Sequence, residues 1–201
     1  MAVAAKKPVI SPEDYLRLER AADEKSEYFD GEIFSMAGGS AVHSLISANV
    51  SGELRSVLRG GRCVTYDSNL RIKVASTGLY TYPDASVICG PVECPEDGDD
   101  MAVNPTLIVE VLSDSTEAYN RGRKFEHYRS LPSFREYVLV SQKEPLVETF
   151  FRQADGTWLF SAVRGAGAVV RLHSLSVDVR LSEVYLAVEF PSGKAAAGPT
   201  P

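Results

Sequence analysis

"LIVEVLSDST" (residues 107–116) sets one carboxylate inside an apolar run. Apolar and β-branched residues bounded by Ser-Asp-Ser predict a short buried strand. Side chains alternate along a strand, so Leu107, Val109 and Val111 share one face, while Ile108, Glu110 and Leu112 share the other. Neither face is polar. An ionised carboxylate in such a place is costly unless a cation, a set of donors or a metal meets it. The fold and the function both turn on what meets Glu110.

Downstream, "STEAYNRGRKFEHYRSL" predicts a helix over 117–131, weakened early by Gly122. "REYVLVS" and "LVETFFR" read as paired strands around "QKEP", and "DGTWLFSAV" continues the β pattern after an Asp155-Gly156 turn. "VDVRLSEVYL" gives a last strand and a short helix. Upstream, Ser11-Pro12 opens a helix as N-cap and first-turn proline. "KSEYFDGEIFSM" is a hairpin around Asp30-Gly31. Val42, Leu45, Ile46, Val50, Leu54, Val57 and Leu58 recur at helical spacing, and Gly60-Gly61 close that helix. "RCVTYDS", "LRIKV" and "YTYPDASVIC" read as strands, followed by an acidic loop over 90–105. The pattern predicts one mixed α/β (α+β) domain over residues 11–188, a central mixed sheet flanked by helices, with flexible termini at 1–10 and 191–201.

The 201 residues suffice for one domain with a real core, and 44% hydrophobic with 24% charged is an ordinary globular balance. No apolar run approaches the ~20 residues of a membrane span, and "MAVAAKKPVI" lacks the apolar segment of a signal peptide. The expectation is a cytoplasmic protein that does not engage membranes. Cys63, Cys89 and Cys94 are too few for a disulfide framework. Cys89, Cys94 and His127 lack the spacing and the fourth ligand of a zinc site. The net charge of −6 argues against tight, nonspecific DNA binding. That charge is uneven: "PEDGDD" (95–100) reads as an acidic surface loop and "RGRK" (121–124) as a basic knot.

Asp84 starts one strand, Glu110 lies in another, and Lys124 lies in the helix that follows. Two carboxylates can bind a hard divalent cation such as Mg²⁺. Such a cation polarises a phosphodiester and lowers the pKa of bound water, and a lysine can orient that water or stabilise the negative transition state. Arg121, Lys124 and Tyr128 are expected to share a helical stripe, with Phe125 and Leu131 anchoring the helix. The alternatives are a structural ion pair of Glu110 with Lys124 or an arginine, a turn role for Asp84, and a solvated Lys124. Arg71 and Lys73 alternate on one strand face; either they contact phosphates or they line an exposed sheet face. "AGGS" before the long helix reads as a loop and N-cap.

"YPDASVIC", "NPTLIVEVLSDST", "NRGRKFEHYRSL" and "REYVLVS", with the amino-terminal "EYFDGEIFSMAGGSAVHSLISANVSGEL", together resemble the Uma-type endonuclease family of the PD-(D/E)xK nuclease superfamily. The likeness runs over roughly residues 11–188. It implies a restriction-endonuclease-like core and a Mg²⁺-dependent (or Mn²⁺-dependent) endonuclease acting on DNA. It implies Asp84 and Glu110 as catalytic metal ligands and Lys124 as the catalytic lysine, because Leu112 stands two residues after the glutamate, where the family's usual lysine lies. It sets Glu32 and His43 near the active centre, with an exposed strand carboxylate and a helix-surface histidine as the alternatives. Arg71, Lys73, Arg121 and Arg123 are the expected nucleic-acid contacts, and a homodimer is expected from symmetric two-strand cutting. The rival reading is a non-catalytic binding or assembly protein that keeps the nuclease fold.

Overall fold

The structure is a computed structural model, and it describes residues 9–36 and 38–190. The termini expected to be flexible lie outside the described residues, except for Val9 and Ile10. α1 (Pro12–Ala21) starts where Ser11 accepts a bond from the Asp14 amide at 3.1 Å. The hairpin follows as β1 (Ser26–Phe29) and β2 (Glu32–Ser35). Its two-residue turn needs positive φ twice, and Asp30 (49°) and Gly31 (81°) supply it. α2 (Ala41–Val57) is capped by Ser40.

Next come β3 (Cys63–Asp67), β4 (Arg71–Val74), β5 (Leu79–Thr81) and β6 (Ala85–Cys89). β7 (Met101–Ala102) emerges from the acidic loop, and β8 is the Leu107–Leu112 strand. β9 (Glu136–Ser141), β10 (Leu146–Arg152) and β11 (Trp158–Arg164) follow as a meander. β12 (Val169–Leu172), β13 (Val177–Arg180) and α5 (Leu181–Val184) end the described chain.

The mixed α/β class and a central mixed sheet flanked by helices are both present, and the strands outside that sheet form a second large sheet and a hairpin. β11-β10-β9-β8-β6-β3 is a mixed six-stranded sheet, β2-β1-β5-β4-β7 is a five-stranded sheet, and β12-β13 stands apart. β8 and β9 are parallel and buried along their whole length, as an interior strand with apolar faces demands. One face of β8 (Leu107, Val109, Val111) packs on α2 through Ile46, Val50 and Leu54. The other (Ile108, Leu112) faces an aromatic core of Tyr128, Phe134 and Tyr137, which also takes Ile72 and Leu79 from the five-stranded sheet. Glu110 points into this second core.

The helix between β8 and β9 is not uniform. α3 (Glu117–Tyr119) passes into a π turn (Asn120–Lys124) and then α4 (Phe125–Arg129). Gly122 lies inside the π turn, where the wider winding changes which side chains face inward. The buried stripe is Asn120, Lys124 and Tyr128. Arg121 leaves the expected stripe and turns outward to Glu117 and Glu148.

The acidic loop is pinned rather than solvated. Asp97 pairs with Lys73 at 2.6 Å and accepts from the Tyr80 hydroxyl, while Asp100 pairs with Arg20 and with buried Arg71. Cys63 and Cys89 face each other across β3 and β6 and form a disulfide, so two of the three cysteines are paired and Cys89 has no thiolate for a metal. Among the described residues no helix is long and apolar enough to cross a membrane.

Candidate active site

β6 and β8 run antiparallel with Ala85 opposite Val109. Continuing the register by one residue sets Asp84 opposite Glu110, so the two carboxylates share a face. Asp84 Oδ2 accepts from the Val111 amide at 2.7 Å, which fixes its orientation from the backbone of β8 itself. His43, in the first turn of α2, brings Nε2 to 3.4 Å from Asp84 Oδ1. That contact holds the imidazole above its ordinary pKa against the opposing effect of burial.

Glu110 is 3% exposed. Its Oε1 accepts from Lys124 Nζ at 2.9 Å and from the Tyr128 hydroxyl at 2.9 Å. Lys124 is as deeply buried, and the same ammonium lies 2.9 Å from Glu27 Oε1. The Thr81 hydroxyl donates to that Glu27 oxygen at 2.5 Å. Burial works against the lysine's charge, but Glu110 and Glu27 together outweigh it and hold its pKa above the ordinary range. Burial pushes the Glu110 carboxyl up to about 7; Lys124 opposes this and Asp84 adds to it. Two carboxylates thus share one ammonium, with a third opposite, and negative charge is in excess.

These groups border a cleft of about 1120 Å³ between the β1–β2 hairpin, the start of α2, the end of β8 and the π turn. Asp84, Glu110, Lys124 and His43 are brought together there. Glu32 is not: it stands exposed at the turn end of the hairpin, outside the cleft lining. Its place is taken by Glu27, on the neighbouring strand, which the sequence reading did not single out. A signal existed, since Glu27 and Phe29 share one hairpin face, but Glu32, opposite Phe29, lies on that face too, and nothing local tells which of the two acids reaches the helix.

The four cations also divide. Arg71 is 4% exposed and donates to Tyr82 and Asp100, so it is a structural cation. Lys73 is held by Asp97, and Arg121 by Glu117 and Glu148. None of these three borders the cleft; Arg123 does, and it is exposed.

Among the described residues no group of three or more His, Cys, Asp or Glu side chains forms a ready-made metal cage. The donor set still fits a hard cation. Mg²⁺ uses one or two carboxylates and completes its shell with water and phosphate. Two facing carboxylates in a cleft with surplus negative charge match that chemistry.

A family model described as "Putative restriction endonuclease" (Uma2) matches residues 12–188. Two curated relatives from Synechocystis sp. (strain ATCC 27184 / PCC 6803 / Kazusa) are similar over nearly their whole length. "Uncharacterized protein slr1290" is 38% identical, covering 91% of this chain and 95% of its own. "Uncharacterized protein sll1609" is 32% identical, covering 88% and 100%. The fold is similar to that of "a putative nuclease belonging to DUF820" from Anabaena variabilis ATCC 29413. The TM-score is 0.70 at 19% identity, over 88% of this chain and 97% of that one.

Proposed function

The chain belongs to the Uma2 family of restriction-endonuclease-like proteins, and from that premise we propose that it is a metal-dependent endonuclease hydrolysing phosphodiester bonds in DNA. The observation that carries this reading is the placement of Asp84 opposite Glu110 at a cleft, with the Lys124 ammonium 2.9 Å from Glu110.

Asp84 and Glu110 would hold Mg²⁺ or Mn²⁺, which when bound supplies Lewis-acid polarisation of the phosphate and a more acidic water. The chain's own residues do the rest. The Val111 amide and His43 aim the Asp84 carboxylate, and Tyr128 aims that of Glu110. Lys124 presents a fixed positive charge to the phosphate oxygens as negative charge grows on them, and it can orient the attacking water. Glu27 keeps that ammonium charged and in place. Water adds to phosphorus, the ester P–O bond breaks, and the departing sugar oxygen takes up a proton.

One observation favours the non-catalytic rival. Lys124 is buried with both Glu27 and Glu110 on it, an arrangement that a purely structural ion pair would also adopt. Cleavage separates the two. Supercoiled plasmid, linear duplex, branched DNA and single-stranded circles are incubated with Mg²⁺ or Mn²⁺, with Asp84→Ala as the blank. The enzyme reading expects products from at least one substrate that vanish with chelator and in Asp84→Ala. Intact DNA throughout, from folded protein, removes it.

A further inference from the structure

The cleft has two unlike walls. One is the inner face of the β1–β2 hairpin. Glu27 and Phe34 are directly opposite each other in the hairpin register, and Phe29 lies two residues from Glu27 on the same face. Glu27 reaches inward to Lys124, so Phe34 stands beside the catalytic set, about one strand spacing away. Phe34 is 48% exposed. Phe29 continues the strip inward and meets the His127 ring edge-on at 4.6 Å between centroids. The other wall is polar, with Ser113, Asp114, Ser115 and Thr116 after β8 and Lys143 after β9.

Cations are scarce here. Of the lysines and arginines bordering the cleft, Lys124 is buried under two carboxylates and Lys143 is bound to Asp114 and Glu117. Arg123 is the third. Arg71, Lys73 and Arg121 are tied to acids elsewhere, and the net charge is −6. A duplex reader typically neutralises about six to ten phosphates. A single strand draws part of its binding from bases stacked on aromatic side chains, so an aromatic strip with the exposed Arg123 also bordering the cleft fits a ligand whose bases are unpaired and present open π faces.

Building on the nuclease reading, we propose that the cleft takes single-stranded DNA, with an unpaired base stacked on Phe34 and the adjoining phosphate passed to Asp84, Glu110 and Lys124. Phe34 is then a specificity-determining residue: it selects strands whose bases are free to stack. A single strand needs one cut and one active site, so this substrate class removes the reason for a symmetric pair of subunits.

The test is binding of the full chain, with Ca²⁺ in place of Mg²⁺ to offset the cleft carboxylates and each oligonucleotide checked to be intact afterwards, to a fluorescein-labelled single-stranded 20-mer, the 20-bp duplex of the same sequence, and an abasic 20-mer. The single strand should bind tightest, and the abasic strand should bind weakly. With about two cations in play, log K against log salt should fall with a slope shallower than about −2, where a duplex reader gives about −5 to −9. Phe34→Ala should weaken single-strand binding about 5- to 150-fold. Phe34→Tyr should keep it, and Phe160→Ala, at an exposed aromatic outside the cleft, should leave it unchanged. Duplex bound as tightly as the single strand, or full affinity in Phe34→Ala, overturns the inference while the nuclease reading stands on its cleavage assay. Failure to bind any oligonucleotide also overturns it, and metal-dependent plasmid cutting then decides the nuclease reading separately.

Discussion

Replacing Glu110 by Gln removes the surplus charge of the buried set and leaves Glu27 and Lys124 as a balanced pair. In the folded protein the Glu110 carboxyl is raised from 4.5 to about 7. The folded state therefore holds a proton that the unfolded chain releases. Stability from this group is fully present below about 4.5 and is lost as pH rises towards 7. At about 1.36 kcal/mol per pH unit, the loss is about 3 kcal/mol. For a chain of this size that is roughly 6–12 °C in melting temperature.

The assay is urea unfolding of both proteins in chelator, from pH 4.5 to pH 8. All other titrating groups are common to the two proteins, so the difference between them isolates Glu110 and its coupling. The variant should gain on wild type by about 3 kcal/mol across this window. A flat difference would mean that the Glu110 carboxyl is not raised in the folded state, and a variant strongly destabilised at pH 7.5 would mean that its charge is structurally required; in either case the metal-ligand assignment would lose its physical motive. Mg²⁺ or Mn²⁺ at about 100 times its Kd should then stabilise wild type by about 2.7 kcal/mol and the variant far less.

Lys124→Met should cost roughly 3–5 kcal/mol, since it leaves two buried carboxylates without their cation; adding Glu27→Gln should recover part of this in the same urea melts, and no recovery would show that the Glu27 contact carries no energy. His43 is held above its ordinary pKa chiefly by Asp84, so its contribution to stability is present below about 6.5 and is lost as pH rises through its folded value. An NMR titration should show the His43 pKa falling in Asp84→Asn, and an unmoved value would break that link. Reducing the Cys63–Cys89 bond, or Cys63→Ser with Cys89→Ser, should cost about 3–4 kcal/mol, the chain-entropy value for a sequence separation of 26; a melt unchanged by reductant would mean the bond is not closed in solution.

Much of this protein was legible from local period. The alternation in "LIVEVL" predicts a strand with two apolar faces, and β8 is buried on both because α2 covers one side and the aromatic core the other. The misfit of Glu110 in that run marks the candidate site, because an acid in an apolar strand must find a partner. The long helix, the Asp30-Gly31 hairpin and the β8–helix–β9 order follow from spacing and turn chemistry in the same way.

Only the tertiary structure decided which distant groups meet. Glu27 rather than Glu32 joins Lys124, because the hairpin belongs to the second sheet and its approach to the helix depends on how the two sheets pack. The alternation of Arg71 and Lys73 says that they share a strand face, but not that the acidic loop folds back over it with Asp97 and Asp100. Cys63 meets Cys89 through the β3–β6 register, and Lys124 turns inward through a π turn. Period and propensity act over a few residues. The energy of a buried charge depends on partners tens of residues away, and only the packed core fixes those distances.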